Sequence, residues 1–372
     1  MKVLYFSRDY TPHDYRFLSA LNRTDHEIYY LRLEAGPFAR ENRPLPEGVR
    51  QVEWQGGKGV VNWADFTWLR GELKRLLNEI KPDLVHAGPV QRCALLTALT
   101  GFQPLVTMSW GSDLLKDAKA GLGRWAARFT LARTTVFICD CQPVADVAAN
   151  LGMNRERTVI FPWGVDLDHF FPGRENYIRS RLEWDDALIL LSSRSLESVY
   201  GVDLLVDAFI KAAKESLDLN MLMIGDGSLR NKIEQIIHQA SIEDRVHIGG
   251  QINYDALPAY YRTADIYVSA SHSDGSSISL LEAMACGLPA IVSDIPGNRE
   301  WVTPNTNGWW FRDSDESALT QAMLEAVNFR ETLNAYSRKA REIAEERADW
   351  EVNFQHLLRA YDLAMHLHGK RS

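Results

Sequence analysis

The chain of 372 residues predicts an α/β protein of two doubly wound parallel-sheet domains. Three observations carry this reading. Apolar strand-like runs alternate with helical runs from one end to the other, which is the order of a parallel sheet with helices on both faces. The alternation halts once, in the Pro-, Gly- and aromatic-rich stretch "VIFPWGVDLDHFFPG" at 159–173, and then restarts. The length is generous for one hydrophobic core and comfortable for two.

In the first half, "KVLYFS" reads as the opening strand rather than a leader segment, because its apolar run is short and carries one Lys. "DYRFLSALN" follows with helical spacing, then the strand "HEIYYLRL". "DFTWLRGELKRLLNEIK" is an amphipathic helix that stops before Pro82. Next come the strand "DLVHAG", the helix "VQRCALLTALTG" ending at Gly101, the strand "PLVTMSWG", one helix over 113–132 and the strand "TTVFICD". After the linker, "ALILLSSRS", "LNMLMIGDG", "RVHIGG", "DIYVSAS" and "PAIVSD" are strands, with helices "GVDLLVDAFIKAAKE", "SLRNKIEQIIHQA" and "ALPAYYRTA" between them. The predicted domains are 1–168 and 169–349, with a last helix over 350–372 returning to the first.

Composition narrows the function. Net charge is −8, which repels phosphate backbones and argues against a nucleic-acid partner. The four cysteines form no CxxC pair and no His cluster stands at zinc spacing, so neither a metal site nor a disulfide framework is expected. Few scattered thiols suit a reducing, cytoplasmic location. No apolar run reaches transmembrane length.

Ligands of open α/β sheets gather at the carboxyl ends of strands, and two such sheets predict a cleft between them. Candidate residues are therefore those that follow strands. Arg194 follows "LILLSS" and can pair bidentately with a phosphate; a surface ion pair is the equal alternative. Gly225-Asp226-Gly227 lies between a strand and a helix, where backbone can approach an anion; a plain tight turn is the simpler reading. "SHSDGSSISLLEAMACGLP" places Asp274 before a helix that starts near 277–279, and Glu282 inside it. Glu282 among Leu281, Ala283 and Met284 needs a partner for its charge, and ribose hydroxyls would serve. A capping box from Ser279 to Glu282 explains the same residues without a ligand. In the first domain His86 and Trp110 end strands, where a lone His is more often structural than catalytic, and Asp113 is read first as the cap of the next helix and second as a carboxylate facing the cleft. Segment 113–133 combines Lys116, Lys119, Arg124, Arg128 and Arg133 with Leu114, Leu115, Leu122, Trp125 and Phe129. This is either an anionic-membrane face or, preferably, an apolar face on the sheet with a solvated basic back. Trp54, Trp63 and Trp68 could stack on a sugar acceptor, but core or surface packing is the preferred reading.

Taken together, "MLMIGDGSLRNKIEQIIHQASIEDRVHIGGQINYDALPAYYRTADIYVSAS", "GSSISLLEAMACGLPAIVSDIPGNREWV" and "FPWGVDLDHFFP" resemble the family 4 glycosyltransferases of the GT-B fold. The resemblance implies transfer of a hexose-type sugar, with retention, from a UDP- or GDP-sugar to a glycan or glycolipid acceptor in polysaccharide or glycolipid biosynthesis, without cofactor or required metal. It implies that Asp274 meets donor-sugar hydroxyls and Glu282 the ribose. It also implies that Arg194 meets phosphate, that Gly225, Gly227 and the backbone of Gly275, Ser276, Ser277 and Ile278 line the donor, and that Gln251 and Ile252 lie by the nucleobase. His13, His86, Trp110 and Asp113 are the acceptor-side candidates.

Four departures stand out. The family's "Glu, seven residues, Glu" reads Asp274 to Glu282 here. Tyr200 stands where the family places a phosphate-binding Lys, and Trp110 where many members carry His. The loop "YTPHDYRF" lacks the family's usual Gly-Gly pair. These departures keep two alternatives open: a catalytically silent, glycosyltransferase-like binding or regulatory protein, and a GT-B epimerase.

Overall fold

The computed structural model describes residues 1–35 and 41–370. They form two compact units, one of Met1–Phe161 and the chain from Phe354 onward, the other of Pro162–Asn353. The division falls inside the linker read at 159–173.

In the first unit the order is β1 (Lys2–Ser7), α1 (Pro12–Leu21), β2 (Glu27–Arg32), β3 (Arg50–Gln51), α2 (Phe66–Ile80), β4 (Leu84–Ala87), α3 (Leu95–Thr100), β5 (Leu105–Met108), α4 (Ser112–Leu115), α5 (Gly121–Leu131), β6 (Val136–Cys139), α6 (Gln142–Asn150) and β7 (Thr158–Ile160). The seven strands are parallel in the order β3-β2-β1-β4-β5-β6-β7. Strand order reverses between β1 and β4, which is where a doubly wound sheet opens its crevice. Leu4, Phe6, Val85 and Leu105 pack on one face with Leu69, Leu73 and Leu96. On the other face Tyr5 meets Phe17 of α1 and His86, and His86 meets Tyr361.

The second unit contains α7 (Asn176–Arg181), β8 (Leu188–Ser192), α8 (Val202–Glu215), β9 (Leu219–Ile224), α9 (Arg230–Ala240), β10 (Val246–Gly250), α10 (Leu257–Thr263), β11 (Ile266–Ser269), α11 (Ile278–Ala285), β12 (Ala290–Ser293), α12 (Pro296–Arg299), β13 (Gly308–Phe311), α13 (Glu316–Asn328) and α14 (Leu333–Arg347). Then α15 (Trp350–Gly369) carries the chain into the first unit. The sheet is again parallel, in the order β10-β9-β8-β11-β12-β13. Alternate residues of β8 feed two cores. Leu188 and Leu190 join Leu205, Phe209 and Met323, whereas Ile189 and Leu191 join Tyr261, Leu281 and Met284. Each such wholly buried side chain stabilises the unit by about 1.5–3 kcal/mol. The switch point lies between β8 and β11, so the loops after these two strands flank the crevice.

The single helix read over 113–132 is two, α4 and α5, separated by extended backbone at Ala120 (φ −153°). Its apolar side packs on the core of the first unit through Leu114, Leu115, Phe129 and Leu131, with Leu122 and Trp125 as exceptions. Helix α5 buries Ala126, Ala127, Thr130 and Leu131, while Leu122 and Trp125 are 54% and 51% exposed. Ala126 and Ala127 let α5 lie close to its neighbours, while Leu122 and Trp125 are left outward. No helix among the described residues is long and apolar enough to cross a membrane.

Candidate functional site

Arg194 sits two residues beyond β8 and its side chain is only 10% exposed. Its Nη1 donates to Ser277 Oγ (2.6 Å) and Ser279 Oγ (3.0 Å), and its Nη2 to Asp274 Oδ2 (2.6 Å). The Tyr200 ring covers the guanidinium at 4.0 Å, a favourable cation–π distance. Burial works against the charge, but Asp274 and the surrounding tyrosines outweigh it and hold Arg194 above its ordinary pKa. The cation is therefore permanent, and it is a buried ion pair rather than a surface one.

Asp274 and Ser277 belong to the turn that leads from β11 into α11, and Ser279 to the first turn of that helix. Ser277 is the residue before the helix, yet its hydroxyl is turned to Arg194 instead of to the helix amides. Ser279 is the second helical residue, and its hydroxyl pairs with Arg194 and Tyr267 (2.8 Å). Glu282, 7% exposed, accepts from the Tyr261 hydroxyl at 2.7 Å. The capping box from Ser279 to Glu282 is thereby overturned: the residue before the helix is Ser277, and Ser279 lies within the helix with its hydroxyl on Arg194 and Tyr267. The turn is braced from behind. Trp301 Nε1 donates to Ser276 Oγ at 3.1 Å, and a Cβ on Gly297 would stand 2.4 Å from Gly275 O and 2.6 Å from Asp274 O.

The Gly225-Asp226-Gly227 turn joins the same corner for a packing reason. A Cβ on Gly225 would come within 2.5 Å of Arg194 O, and one on Gly227 within 2.5 Å of Leu196 O. Leu196 N donates to Asp226 O (3.0 Å), and Glu197 accepts from Ser228 N (2.8 Å). The glycines let the Arg194 loop lie against the turn. Gly225 N also donates to Gly250 O at 2.7 Å, linking the ends of β9 and β10. Beyond Gly250, Gln251 is exposed and Ile252 packs on the adjoining core.

In the first unit, His13 and Trp110 come together with ring centroids 5.3 Å apart. Asp113 is 5% exposed and accepts from Val90 N (2.9 Å), Ser109 Oγ (2.6 Å) and Trp110 N (3.1 Å). Burial raises its pKa, with these hydrogen bonds opposing. It ties the turn after β5 to the start of the helical segment after β4. His86 requires a correction. It is fully buried within β4, its Nδ1 paired with Tyr361 Oη at 2.8 Å, and burial pushes its pKa down to about 3. A neutral, enclosed ring of this kind is a core residue that an acceptor cannot reach. Of the tryptophans, Trp54 is buried and donates to Arg32 O, while Trp63 and Trp68 are exposed.

Ser193, Tyr261, Tyr267 and Trp301 were not singled out from sequence. The signal for Tyr261, Tyr267 and Trp301 was polarity at the tips of aromatic side chains in buried segments, since a buried Tyr or Trp needs a hydrogen-bond partner.

Two family models match the chain. "Glycosyltransferase Family 4" covers residues 13–169 and "Glycosyl transferases group 1" covers 173–343, so together they account for most of it. The chain belongs to the family 4 glycosyltransferases. This family 4 chain is 28% identical over 223 residues to a D-inositol 3-phosphate glycosyltransferase of Geodermatophilus obscurus, a match covering 57% of the chain and 49% of that protein. It is 29% identical over 219 residues to an alpha-monoglucosyldiacylglycerol synthase of Streptococcus pneumoniae, covering 56% and 48%. The chain thus spans about half the length of the curated relatives it matches. HepE of Anabaena, solved in complex with UDP, superposes with a TM-score of 0.79 at 17% identity over 97% of this chain and all of that one. The sucrose-phosphate synthase of Thermosynechococcus elongatus gives 0.78 at 17% identity over 97% and 98%. The fold is GT-B.

Proposed function

We propose that the protein transfers a hexose-type sugar, with retention, from a UDP- or GDP-sugar to a glycan or glycolipid acceptor. The observation that carries this is the convergence of a permanent cation, the amino-terminal turn of α11 and the carboxylate of Glu282 at the carboxyl ends of β8 and β11. Arg194 and the positive end of α11 supply the charge that a departing diphosphate needs. Glu282 supplies the acceptor for ribose hydroxyls. Asp274 supplies the contact to the sugar, and Gln251 and Ile252 flank the base. In a front-face transfer the acceptor hydroxyl attacks on the side the diphosphate leaves from. The new glycosidic bond forms as the sugar–phosphate bond breaks, and the acceptor proton passes to the departing phosphate oxygen. The scheme invokes no metal and no cofactor. His13, Trp110 and Asp113 are the proposed acceptor-side residues.

The relative named for monoglucosyldiacylglycerol synthesis supports a lipid-linked acceptor in a glycolipid or polysaccharide pathway. The outward Leu122 and Trp125, next to exposed Lys116, Lys119, Arg124 and Arg128, support peripheral docking on the anionic cytoplasmic face of a membrane. Co-sedimentation with anionic liposomes at low salt tests it; a pellet free of protein rejects it.

A catalytically silent binding role is the second reading, favoured by Tyr200 and Trp110 at positions where the family carries Lys and His. A panel of UDP-, GDP- and ADP-sugars with nucleotide release followed by mass spectrometry separates the readings. Free nucleotide from one donor supports transfer. Thermal stabilisation without turnover, even with candidate acceptors, supports the silent role. Interconversion of two nucleotide sugars indicates an epimerase.

A further inference from the structure

We infer that Tyr261, backed by Ser193, is a positioning residue that holds Glu282 for the ribose of a nucleoside diphosphate. The inference rests on the donor-site reading above. Tyr261 lies on α10 and is completely buried; its ring is held edge-on by Phe170 (5.8 Å, 83°). Its hydroxyl stands 2.7 Å from Glu282 Oε2 and 2.8 Å from Ser193 Oγ.

A phenol has one proton to give. Burial, and next the charge of Glu282, keep that proton on Tyr261. The hydroxyl therefore donates to the carboxylate and accepts from Ser193, which gives a directed relay of Ser193, Tyr261 and Glu282. Ser193 precedes Arg194, so the relay ties the carboxylate to the same strand end that carries the cation. Arg194 is anchored in a parallel way, because Tyr267 Oη pairs with Ser279 Oγ, which accepts from Arg194. Two buried phenols beneath α11 thus set the two charged members of the site.

Without Tyr261 Oη, the three side-chain torsions of Glu282 lose a fixed endpoint. A carboxylate that must meet particular hydroxyls loses affinity when its orientation is no longer set in advance. The consequence is specific, because binding of the ribose hydroxyls should suffer while contacts to base and diphosphate persist.

The test compares binding of UDP and GDP with their 2′-deoxy and 3′-deoxy forms to wild type, Tyr261→Phe, Ser193→Ala and Glu282→Gln by calorimetry, with melting temperatures measured in parallel. Tyr261→Phe keeps the ring and its packing. It is expected to weaken ribonucleotide binding about tenfold, the scale of one hydrogen bond to a charged group, and to leave the deoxy form nearly unchanged. The preference for ribose then collapses as it does in Glu282→Gln, with a smaller change of the same sign in Ser193→Ala. Should Tyr261→Phe not fold, the Ser193→Ala result decides. A full ribose preference in Tyr261→Phe, with that preference lost in Glu282→Gln, overturns the positioning role alone. No ribose preference in the wild type overturns the ribose assignment of Glu282 and the Tyr261 role with it.

Discussion

Asp274 Oδ2 lies 2.6 Å from Arg194 Nη2, so the carboxylate assigned to the donor sugar neutralises the guanidinium assigned to its diphosphate. Both Nη1 bonds of Arg194 go to serines at the start of α11. A diphosphate arriving at Arg194 competes with these partners, and Asp274, 21% exposed and like-charged with the ligand, is the one it repels. Asp274→Asn is expected to tighten binding of UDP or GDP alone, because it removes the charge that competes with the diphosphate for Arg194. It is also expected to slow sugar transfer. Calorimetry and donor turnover read the two effects separately, and weaker nucleotide binding in this variant contradicts the exchange.

Tyr200 takes the place of the expected Lys by stacking on Arg194 rather than by adding charge. Removing the ring in Tyr200→Leu should lower nucleotide affinity, the stacked contact being worth about 0.5–2 kcal/mol. Tyr200→Lys trades that stacking for a second cation beside the first. If turnover is limited by charge on the leaving diphosphate, Tyr200→Lys should recover or exceed wild-type kcat where Tyr200→Leu does not. Equal kcat in the two variants argues against that limit.

Gly297 has no side chain because the backbone of Asp274 and Gly275 occupies the space. Gly297→Ala must push that turn away by several tenths of an ångström or more. Donor binding is expected to fall at least about tenfold, at little cost in secondary structure, because misplaced site groups are costly even when the fold survives. Circular dichroism and nucleotide titration together check it; undiminished binding shows that the turn does not contact the donor.

The first unit should be acid-sensitive through His86. Folded His86 titrates at about 3 because it is buried, against about 6.5 in an unfolded chain. Between these values the unfolded chain binds a proton that the folded one does not. The stability contributed is therefore full above about pH 6.5 and is lost as pH falls toward 3, by about 1.4 kcal/mol per pH unit at most. Asp14 runs the other way. Burial lifts it to about 6 against hydrogen bonds from Thr11, Ser7 and Tyr5, so it favours the folded state as pH falls from 6 toward 4. Urea midpoints from pH 4 to 7 should show a shallower acid loss in His86→Phe and a steeper one in Asp14→Asn. An unchanged slope in His86→Phe contradicts the assignment.

Much of the fold was legible because strand and helix periods alternate cleanly and turn residues separate them. What escaped has physical causes. The two-residue β3 and three-residue β7 are too short for a period to show, and β7 lies inside a stretch whose Pro and Gly read as linker. The break between α4 and α5 was masked by apolar spacing that continues through it. The site was legible as a set of residue types after strands, so Arg194, Asp274 and Glu282 could be named. Their pairing could not, since Arg194 and Asp274 are eighty positions apart and meet only when β8 and β11 become neighbours. His86 was misread because a strand-end position in sequence does not say which face of the sheet the side chain enters. Gly225 and Gly227 read as a tight turn from the residues alone and as donor-lining only by resemblance; the loop from Arg194 to Leu196 is what fills the space of their missing side chains.

The donor site stands or falls with Glu282. Nucleotide binding by Glu282→Ala, measured by calorimetry on protein shown by thermal melting to be folded, should be far weaker than wild type, by roughly a hundredfold if two hydrogen bonds to a charged carboxylate are lost. Unchanged affinity in a folded Glu282→Ala protein would contradict the assignment of this corner of the second unit as the place where the nucleotide sugar binds.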